Sequence, residues 1–111
     1  ELARSGEKFD VVVLDPPAFI KRKKDYRPGL NHYTQNNRLA AQLLDRGGLL
    51  VSASCSQPLL ASDLSQAMLR AARRRGRELQ LLHELHQAVD HPVNAAMPET
   101  RYLKGFIGRL L

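Results

Sequence analysis

Short apolar runs bounded by turn residues alternate along the chain with segments in which apolar residues recur at helical spacing. The runs predict four strands: Phe9–Leu14, Leu49–Ser54, Leu79–Leu85 and Tyr102–Leu111. The first run is β-branched and lacks polar alternation, which is typical of a parallel strand that is buried on both faces. Pro16 and Pro17 follow it and cannot donate ladder hydrogen bonds, so the strand is expected to end before them.

Two segments predict amphipathic helices. The first helix is expected over Asn31–Asp45, with Gly47-Gly48 at its carboxyl end. The second is expected to have Ser62 as its N-cap and Asp63 in its first turn, and to stop at Gly76. The predicted buried faces consist of Leu39, Ala40, Leu43 and Leu44 in the first helix, and of Leu64, Ala67, Met68, Ala71 and Ala72 in the second.

The predicted order of elements, strand–helix–strand–helix–strand–strand, indicates an α/β sheet with parallel crossovers. No helix separates the last two strands, so the final strand is expected to run antiparallel. Residues 86–100 contain Pro92 and Pro98 and predict a loop. Pro28-Gly29 predicts a turn that closes the basic loop after Phe19.

Composition limits the possible function. The length of 111 residues suits one small domain or part of one, and one cysteine excludes an internal disulfide and a cysteine-cluster metal site. No apolar run is long enough to span a membrane and the first residues lack a signal-peptide core, which favours a cytoplasmic protein. The net charge of +6 favours a polyanionic partner such as nucleic acid, although a basic solvated surface is an equal alternative.

Two reactive side chains follow the first two predicted strands. Asp15 and Cys55 each stand at the carboxyl end of a strand, where open α/β sheets form their ligand crevice. Neighbouring parallel strands are about 5 Å apart, so an acid that can bind an amide edge and a thiol that can attack are expected to be neighbours. On this pattern alone, Cys55 could also be a small buried hydrophobe and Asp15 a turn residue.

Four segments resemble motifs of known methyltransferases. Asp-Pro-Pro-Ala-Phe at residues 15–19 resembles the fourth motif of class I S-adenosylmethionine-dependent methyltransferases, and Ser-Cys-Ser at residues 54–56 resembles the sixth motif of RNA cytosine-C5 methyltransferases. Asp90–Val93 and Tyr102–Phe106 are similar to the closing segments of the bacterial family that forms 5-methylcytosine in 23S rRNA. The resemblance implies a partial Rossmann-like sheet with strands four to seven in the order 4-5-7-6, S-adenosylmethionine as cofactor and 23S rRNA as partner.

The same resemblance implies roles for the matching residues. Cys55 would be the nucleophile that adds to C6 of cytosine, and Asp15 would hold the N3/N4 edge of the base and contribute to the cofactor site. The carbonyl of Pro16 would accept a hydrogen bond from the N4 amine. Phe19 would stack on the flipped base, although it could equally belong to the core. The sequence does not identify the base that removes the C5 proton.

A basic run, Lys21–Lys24, leaves directly from this motif. Lys21 and Lys23 are predicted to contact RNA phosphates beside the target base, which would make binding salt-dependent. The alternative is a solvated loop. Lys104 falls in the last predicted strand, where the simplest interpretation is an exposed face.

The glycine-rich cofactor loop of the family, the acid for the cofactor's ribose and the PUA-type RNA-binding domain have no counterpart in residues 1–111. We therefore interpret the chain as the carboxyl-terminal part of a methyltransferase catalytic domain, which we expect to be inactive alone. The edge of the strand Phe9–Leu14 would then be unpaired, which predicts self-association through it. Two other functions stay open: methylation of an amino group or of guanine, which needs no thiol, and a non-catalytic rRNA-binding module.

Overall fold

The computed structural model describes residues 6–56, 58–86 and 103–111, which form a four-stranded sheet and two helices. In chain order the elements are β1 (Phe9–Leu14), a 3₁₀ turn (Lys23–Asp25), α1 (Tyr26–Leu43), β2 (Leu44–Ser54), α2 (Ala61–Arg74), β3 (Leu79–Leu85) and β4 (Lys104–Leu110). The strands lie in the order β1-β2-β4-β3. β1 and β2 are parallel, and β4 is antiparallel to both of its neighbours. The predicted α/β topology, the order 4-5-7-6 and the reversed last strand are therefore confirmed.

Both helices pack against one face of the sheet, and the core lies between the two layers. Along β2, Leu50, Ser52 and Ser54 are buried on this inner face, whereas the alternate residues point to the outer face and are partly exposed. On that outer face Val11 and Val13 of β1 are 51% and 64% exposed. The prediction that the first strand is buried on both faces is therefore wrong, because the described residues cover only one face.

The start of α1 differs from the prediction. The helix begins at Tyr26 rather than near Asn31, and Pro28 lies in its first turn, where a missing N–H needs no partner. Gly29 is buried in the same turn, and a Cβ at this position would lie 2.3 Å from Ile20 Cγ1. The Pro-Gly pair therefore does not close the basic loop. It starts a helix and lets the chain after β1 pack closely against it.

The end and the buried face of α1 also differ. The helix ends at Leu43 because Leu44 is extended, with φ −87° and ψ 130°, and begins β2. Gly47-Gly48 consequently lies within β2 and does not end the helix as predicted. Gly47 has a φ of +76°, and the register of β1 on β2 is irregular in this part of the strand. Leu39, predicted to be buried, is 43% exposed. The buried residues of α1 are Gly29, Tyr33, Asn37, Ala40 and Ala41.

For α2, most of the prediction is confirmed. Its N-cap is Leu60 rather than Ser62, but Asp63 lies in the first turn and the predicted buried face is the observed one. Gly76, with a φ of +66°, follows the helix, as predicted for a helix stop. β3 has the predicted bounds. Residues 87–102, which include most of the predicted loop and Tyr102, lie outside the described residues.

Arg77 joins the ends of three elements. Its guanidinium donates hydrogen bonds to the carbonyls of Ala41 (3.1 Å), Leu44 (2.7 Å), Asp45 (2.7 Å), Leu110 (3.1 Å) and Leu111 (3.4 Å). Burial lowers the pKa of Arg77, and the positive charge of Arg46 lowers it further. The side chain therefore satisfies carbonyls at the end of α1, the start of β2 and the end of β4. Neither helix of the described chain has the length and apolar character needed to cross a membrane.

Candidate functional site

The carboxyl ends of β1 and β2 lie side by side. In the parallel register, Leu14 of β1 pairs with Ser52 of β2. Asp15 leaves the sheet directly beyond this pair, and Cys55 follows the last residue of β2. Both side chains are exposed, and Cys55 is a free thiol. The structure thus brings these two predicted residues to the same edge of the sheet, on neighbouring strands and outside the core.

A buried group of three hydroxyls flanks Cys55. The Tyr33 hydroxyl on α1 forms hydrogen bonds with Ser54 Oγ, at 2.6 Å, and with Ser56 Oγ. Each of the three residues is no more than 1% exposed. We call Tyr33, Ser54 and Ser56 the hydroxyl cluster. The two serines point into the protein, and Cys55 between them is exposed.

The hydroxyl cluster also holds the loop that follows β1. The amide of Ile20 donates to Ser56 Oγ at 3.2 Å, and the amide of Phe19 donates to the Tyr33 hydroxyl at 3.4 Å. Ile20 is fully buried, so its amide must find a partner inside the protein. The loop that begins with Asp15 and the loop that carries Cys55 therefore form one hydrogen-bonded unit.

Ser56 is also fixed through its main chain. Its amide donates to Ser54 Oγ at 3.0 Å, and its carbonyl accepts hydrogen bonds from the Leu59 amide (3.1 Å) and from Lys104 Nζ (2.6 Å). The backbone on both sides of Cys55 is thus held by buried groups. Supports of this kind keep a reactive side chain in one geometry before the substrate arrives.

Lys104 is half-buried, so the interpretation that it lies on an exposed strand face is wrong. It pairs with Ser54 across β2 and β4, and its side chain extends to the carbonyl of Ser56. Burial lowers the pKa of Lys104, and its electrostatic interaction with Cys55 acts in the opposite direction. The Lys104 ammonium is therefore held at the residue that directly follows the exposed thiol.

Phe19 is half-buried and packs against the core. Its ring stacks on His32, with centroids 5.2 Å apart, and meets Tyr33 edge-on at 4.9 Å. Phe19 therefore contributes to the packing of the loop, which is the core role left open by the sequence. Its role as a platform for a flipped base stays a prediction.

Asp15 and Pro16 line a cavity of about 380 Å³ between β1 and α1. Its polar lining includes Asn36 of α1, and its apolar lining includes Leu39. The cavity adjoins the free edge of β1, which has no partner strand on that side among the described residues. Asp15 and Asn36 therefore place polar residues in the lining of an otherwise largely apolar cavity.

The basic loop forms one wall of a second, larger hollow. Lys21, Arg22 and Lys23 line it together with Tyr26, Pro58 and Leu60, and its volume is about 680 Å³. We call this hollow the basic groove. The Tyr26 hydroxyl binds the Asp63 carboxylate and accepts from the Leu60 amide, which joins the first turns of the two helices. Burial raises the pKa of Tyr26, and the hydrogen bond to Asp63 raises it further.

Sequence reasoning missed the hydroxyl cluster and the position of Lys104. One signal was available: Ser52, Ser54 and Ser56 recur at every second position, which puts all three on one face of a strand. Tyr33 stands on the helix face that also carries Asn37 and Ala40, at helical spacing. No group of three histidine, cysteine or acidic side chains within the described ranges could hold a metal ion.

Comparison with curated proteins gives relatives that are similar to this chain over nearly its whole length. Ribosomal RNA large subunit methyltransferase I of Escherichia coli is 47% identical over 107 residues, which cover 96% of this chain and 27% of that protein. The chain is homologous to a segment of this methyltransferase. The protein of the same name from Shigella boydii gives the same figures. The chain thus spans about a quarter of the length of these curated relatives. No family model matches it.

Solved structures share the fold at low sequence identity. A candidate methyltransferase in complex with SAH gives a TM-score of 0.76 at 20% identity, over 96% of this chain and 27% of that one. A candidate SAM-dependent methyltransferase from Streptococcus mutans gives 0.75 at 17% identity, over 96% and 26%. A candidate DNA modification methylase from Thermus thermophilus, complexed with S-adenosyl-L-methionine, gives 0.54 at 17% identity, over 96% and 48%. The chain therefore has the fold of class I methyltransferases.

Proposed function

We propose that this chain is the carboxyl-terminal part of an S-adenosylmethionine-dependent methyltransferase that forms 5-methylcytosine in 23S rRNA. The observation that carries the proposal is the exposed Cys55 thiol, held between two buried serines at the edge where Asp15 also emerges. The names of the relatives, which act on ribosomal RNA of the large subunit, support the substrate class. The matching motif at residues 54–56 supports carbon-5 of cytosine as the target.

Cytosine C5 is a poor nucleophile, and the proposed role of Cys55 is to change that. Its thiolate adds to C6 and forms a C–S bond, which moves electron density to C5 while N3 gains a proton. C5 would then take the methyl group as the bond between the methyl carbon and the sulfonium sulfur of the donor breaks. A base takes the C5 proton, the C–S bond to Cys55 breaks to return the thiolate, and N3 gives its proton back. Asp15 holds the N3/N4 edge and shares the proton with N3, and the Pro16 carbonyl accepts from the N4 amine.

When bound, S-adenosylmethionine supplies an electrophilic methyl group on a sulfonium. Asp15 is the residue of this chain that we propose at the cofactor, since it is exposed and lines the cavity beside β1. A carboxylate suits a cationic ligand, so this residue fits the group. Pro16 and Asn36 line the same cavity.

The basic groove is the proposed RNA-binding surface. Lys21 and Lys23 are exposed and therefore free to meet phosphates, and the groove begins next to the loop that carries Phe19. In this proposal Phe19 stacks on the target base after it leaves the RNA stack. Contacts to phosphates predict that RNA binding weakens as salt concentration rises.

A segment exchange tests the proposal. The matched 107 residues of the E. coli relative are replaced by those of this chain, and the chimera is given 23S rRNA and cofactor. We expect 5-methylcytidine in the digested rRNA. Cys55→Ala should lower methyl transfer at least about a thousandfold, because the covalent step is lost. Ser65→Ala, on α2 and outside the site, is the matched control.

The two alternatives give other outcomes. An amino-group or guanine methyltransferase would retain activity after Cys55→Ala and would yield a different methylated nucleoside. A non-catalytic module would give a folded chimera that binds rRNA and transfers no methyl group. Either result would contradict the proposed function.

A further inference from the structure

We propose that Lys104 is a positioning residue for Cys55: its ammonium holds the carbonyl of Ser56 and keeps a positive charge at the turn that carries the thiol. This inference rests on the proposed function in one respect, since it assigns to Lys104 a part in the same covalent step. Neither the motif at residues 15–19 nor the motif at residues 54–56 contains this residue. It comes from β4, on the other side of β2 from Asp15.

The geometry of two strands carries the inference. Lys104 is the first residue of β4 and pairs with Ser54, the last residue of β2, so both stand at the edge where Cys55 emerges. Lys104 Nζ lies 2.6 Å from the carbonyl oxygen of Ser56, which is the residue directly after Cys55. One ammonium therefore fixes the turn and contributes its charge at the same place.

The surroundings of Lys104 strengthen this charge effect. Its side chain is half-buried, and a half-buried charge acts on its neighbours through a medium less polar than water. The interaction between Lys104 and Cys55 partly offsets the lowering of the Lys104 pKa by burial. Among the described residues, Glu84 and His86 are the other titratable groups that line the cavity of about 330 Å³ beside Lys104. Thiolates are favoured next to lysine in other proteins in the same way.

The chain contains one cysteine, so alkylation by neutral iodoacetamide reports on Cys55 alone. The full chain and three variants, Lys104→Gln, Lys104→Arg and Arg109→Gln, are alkylated between pH 6.5 and pH 9.5. Gln can still donate to the Ser56 carbonyl but carries no charge, whereas Arg keeps the charge. Arg109 is an exposed residue at the far end of β4 and serves as the matched control.

We expect Lys104→Gln to slow alkylation about three- to tenfold at pH 7, because the thiolate fraction falls. The difference should shrink towards pH 9.5, where a cysteine thiol ionises without help from a neighbouring cation. Lys104→Arg should keep most of the rate, and Arg109→Gln should match the parent chain. A pH-independent loss in Lys104→Gln, equal rates for all proteins, or an equal loss in Arg109→Gln would overturn the inference.

This assay needs no methyl transfer, so its result is independent of the segment exchange. Slower alkylation of Cys55 in Lys104→Gln supports the inference whether or not the chimera needs Cys55. A chimera that stays active after Cys55→Ala contradicts the proposed function alone. Thermal unfolding of each variant accompanies the rates. A variant that unfolds below the assay temperature is replaced in the comparison by Lys104→Met, for which the same pH-dependent loss is expected.

Discussion

The hydroxyl cluster makes a quantitative prediction for Tyr33→Phe. This change removes one hydroxyl and leaves the ring that packs against Phe19 in place. The lost hydroxyl bonds to Ser54 Oγ and Ser56 Oγ and accepts from the amide of Phe19. Ser54 and Ser56 each keep one other partner, the amides of Ser56 and Ile20 respectively. The variant therefore loses hydrogen bonds without leaving either serine wholly unpaired.

The expected cost follows from these contacts. A buried hydrogen bond between neutral groups contributes about 0.5–1.5 kcal/mol net, so losing two strong contacts and one long one lowers the free energy of unfolding by about 2 kcal/mol. With a urea m-value of about 1–3 kcal/mol per molar, the unfolding midpoint should fall by about 1 M. Thr34→Val is the matched control, since this neighbouring hydroxyl bonds only within the helix, to the Leu30 carbonyl at 3.0 Å.

Two further measurements separate positioning from general stability. Amide hydrogen exchange at Ile20 should accelerate in Tyr33→Phe more than exchange in the centre of β2, because the loop after β1 loses its attachment. A double-mutant cycle with Ser56→Ala should give a coupling free energy of about 0.5–1.5 kcal/mol. If Tyr33→Phe unfolds at the same urea concentration as Thr34→Val and exchange at Ile20 is unchanged, the hydroxyl cluster does not hold the two loops.

Three other predictions concern the framework. Arg77→Ala should lower the free energy of unfolding by about 2–3 kcal/mol, because carbonyls at the ends of three elements lose a charged donor. Arg77→Lys should recover less than half of this lost free energy, and urea unfolding measures both variants. Gly29→Ala should destabilise the chain by about 1–3 kcal/mol, since the added methyl meets Ile20, and an unchanged urea midpoint would contradict this. The chain should self-associate through β1, and Val13→Lys should reduce this in sedimentation velocity, whereas a monomer at high concentration would contradict the idea.

The positions of the strands could be predicted from the sequence because each strand is a separate apolar run, whereas their order followed from the family resemblance. Phe9–Leu14 and Leu79–Leu85 have the predicted bounds, and the missing helix before the last strand was sufficient to predict its direction. The role of Gly47-Gly48 was harder to predict, because a glycine pair that ends helices in many proteins lies here within an irregular strand. The role of a glycine depends on the atoms that pack around it. At Gly29, for example, the Ile20 side chain leaves no room for a Cβ.

In the candidate site, too, the features that depend on neighbouring residues in the sequence could be predicted, and those that depend on distant residues could not. Asp15 and Cys55 could be found because each follows a strand in the sequence, and strand ends meet at one edge of a parallel sheet. The support of Cys55 could not be found in this way, since it depends on Tyr33 and Lys104, which come from a helix and a strand that lie 22 residues before and 49 residues after it. A serine predicts only that a hydroxyl is present, and its partner is fixed by packing.

The two faces of the sheet differ in the side chains they carry and in what covers them. On the inner face, buried hydroxyls take the place of apolar packing at one end, where they align two loops at the cost of a smaller hydrophobic core. On the outer face, Val13, Val51 and Ile107 are register neighbours across three strands and form an apolar row, which is exposed at Val13 and half-buried at the other two residues. A row of this kind gains free energy when another surface covers it.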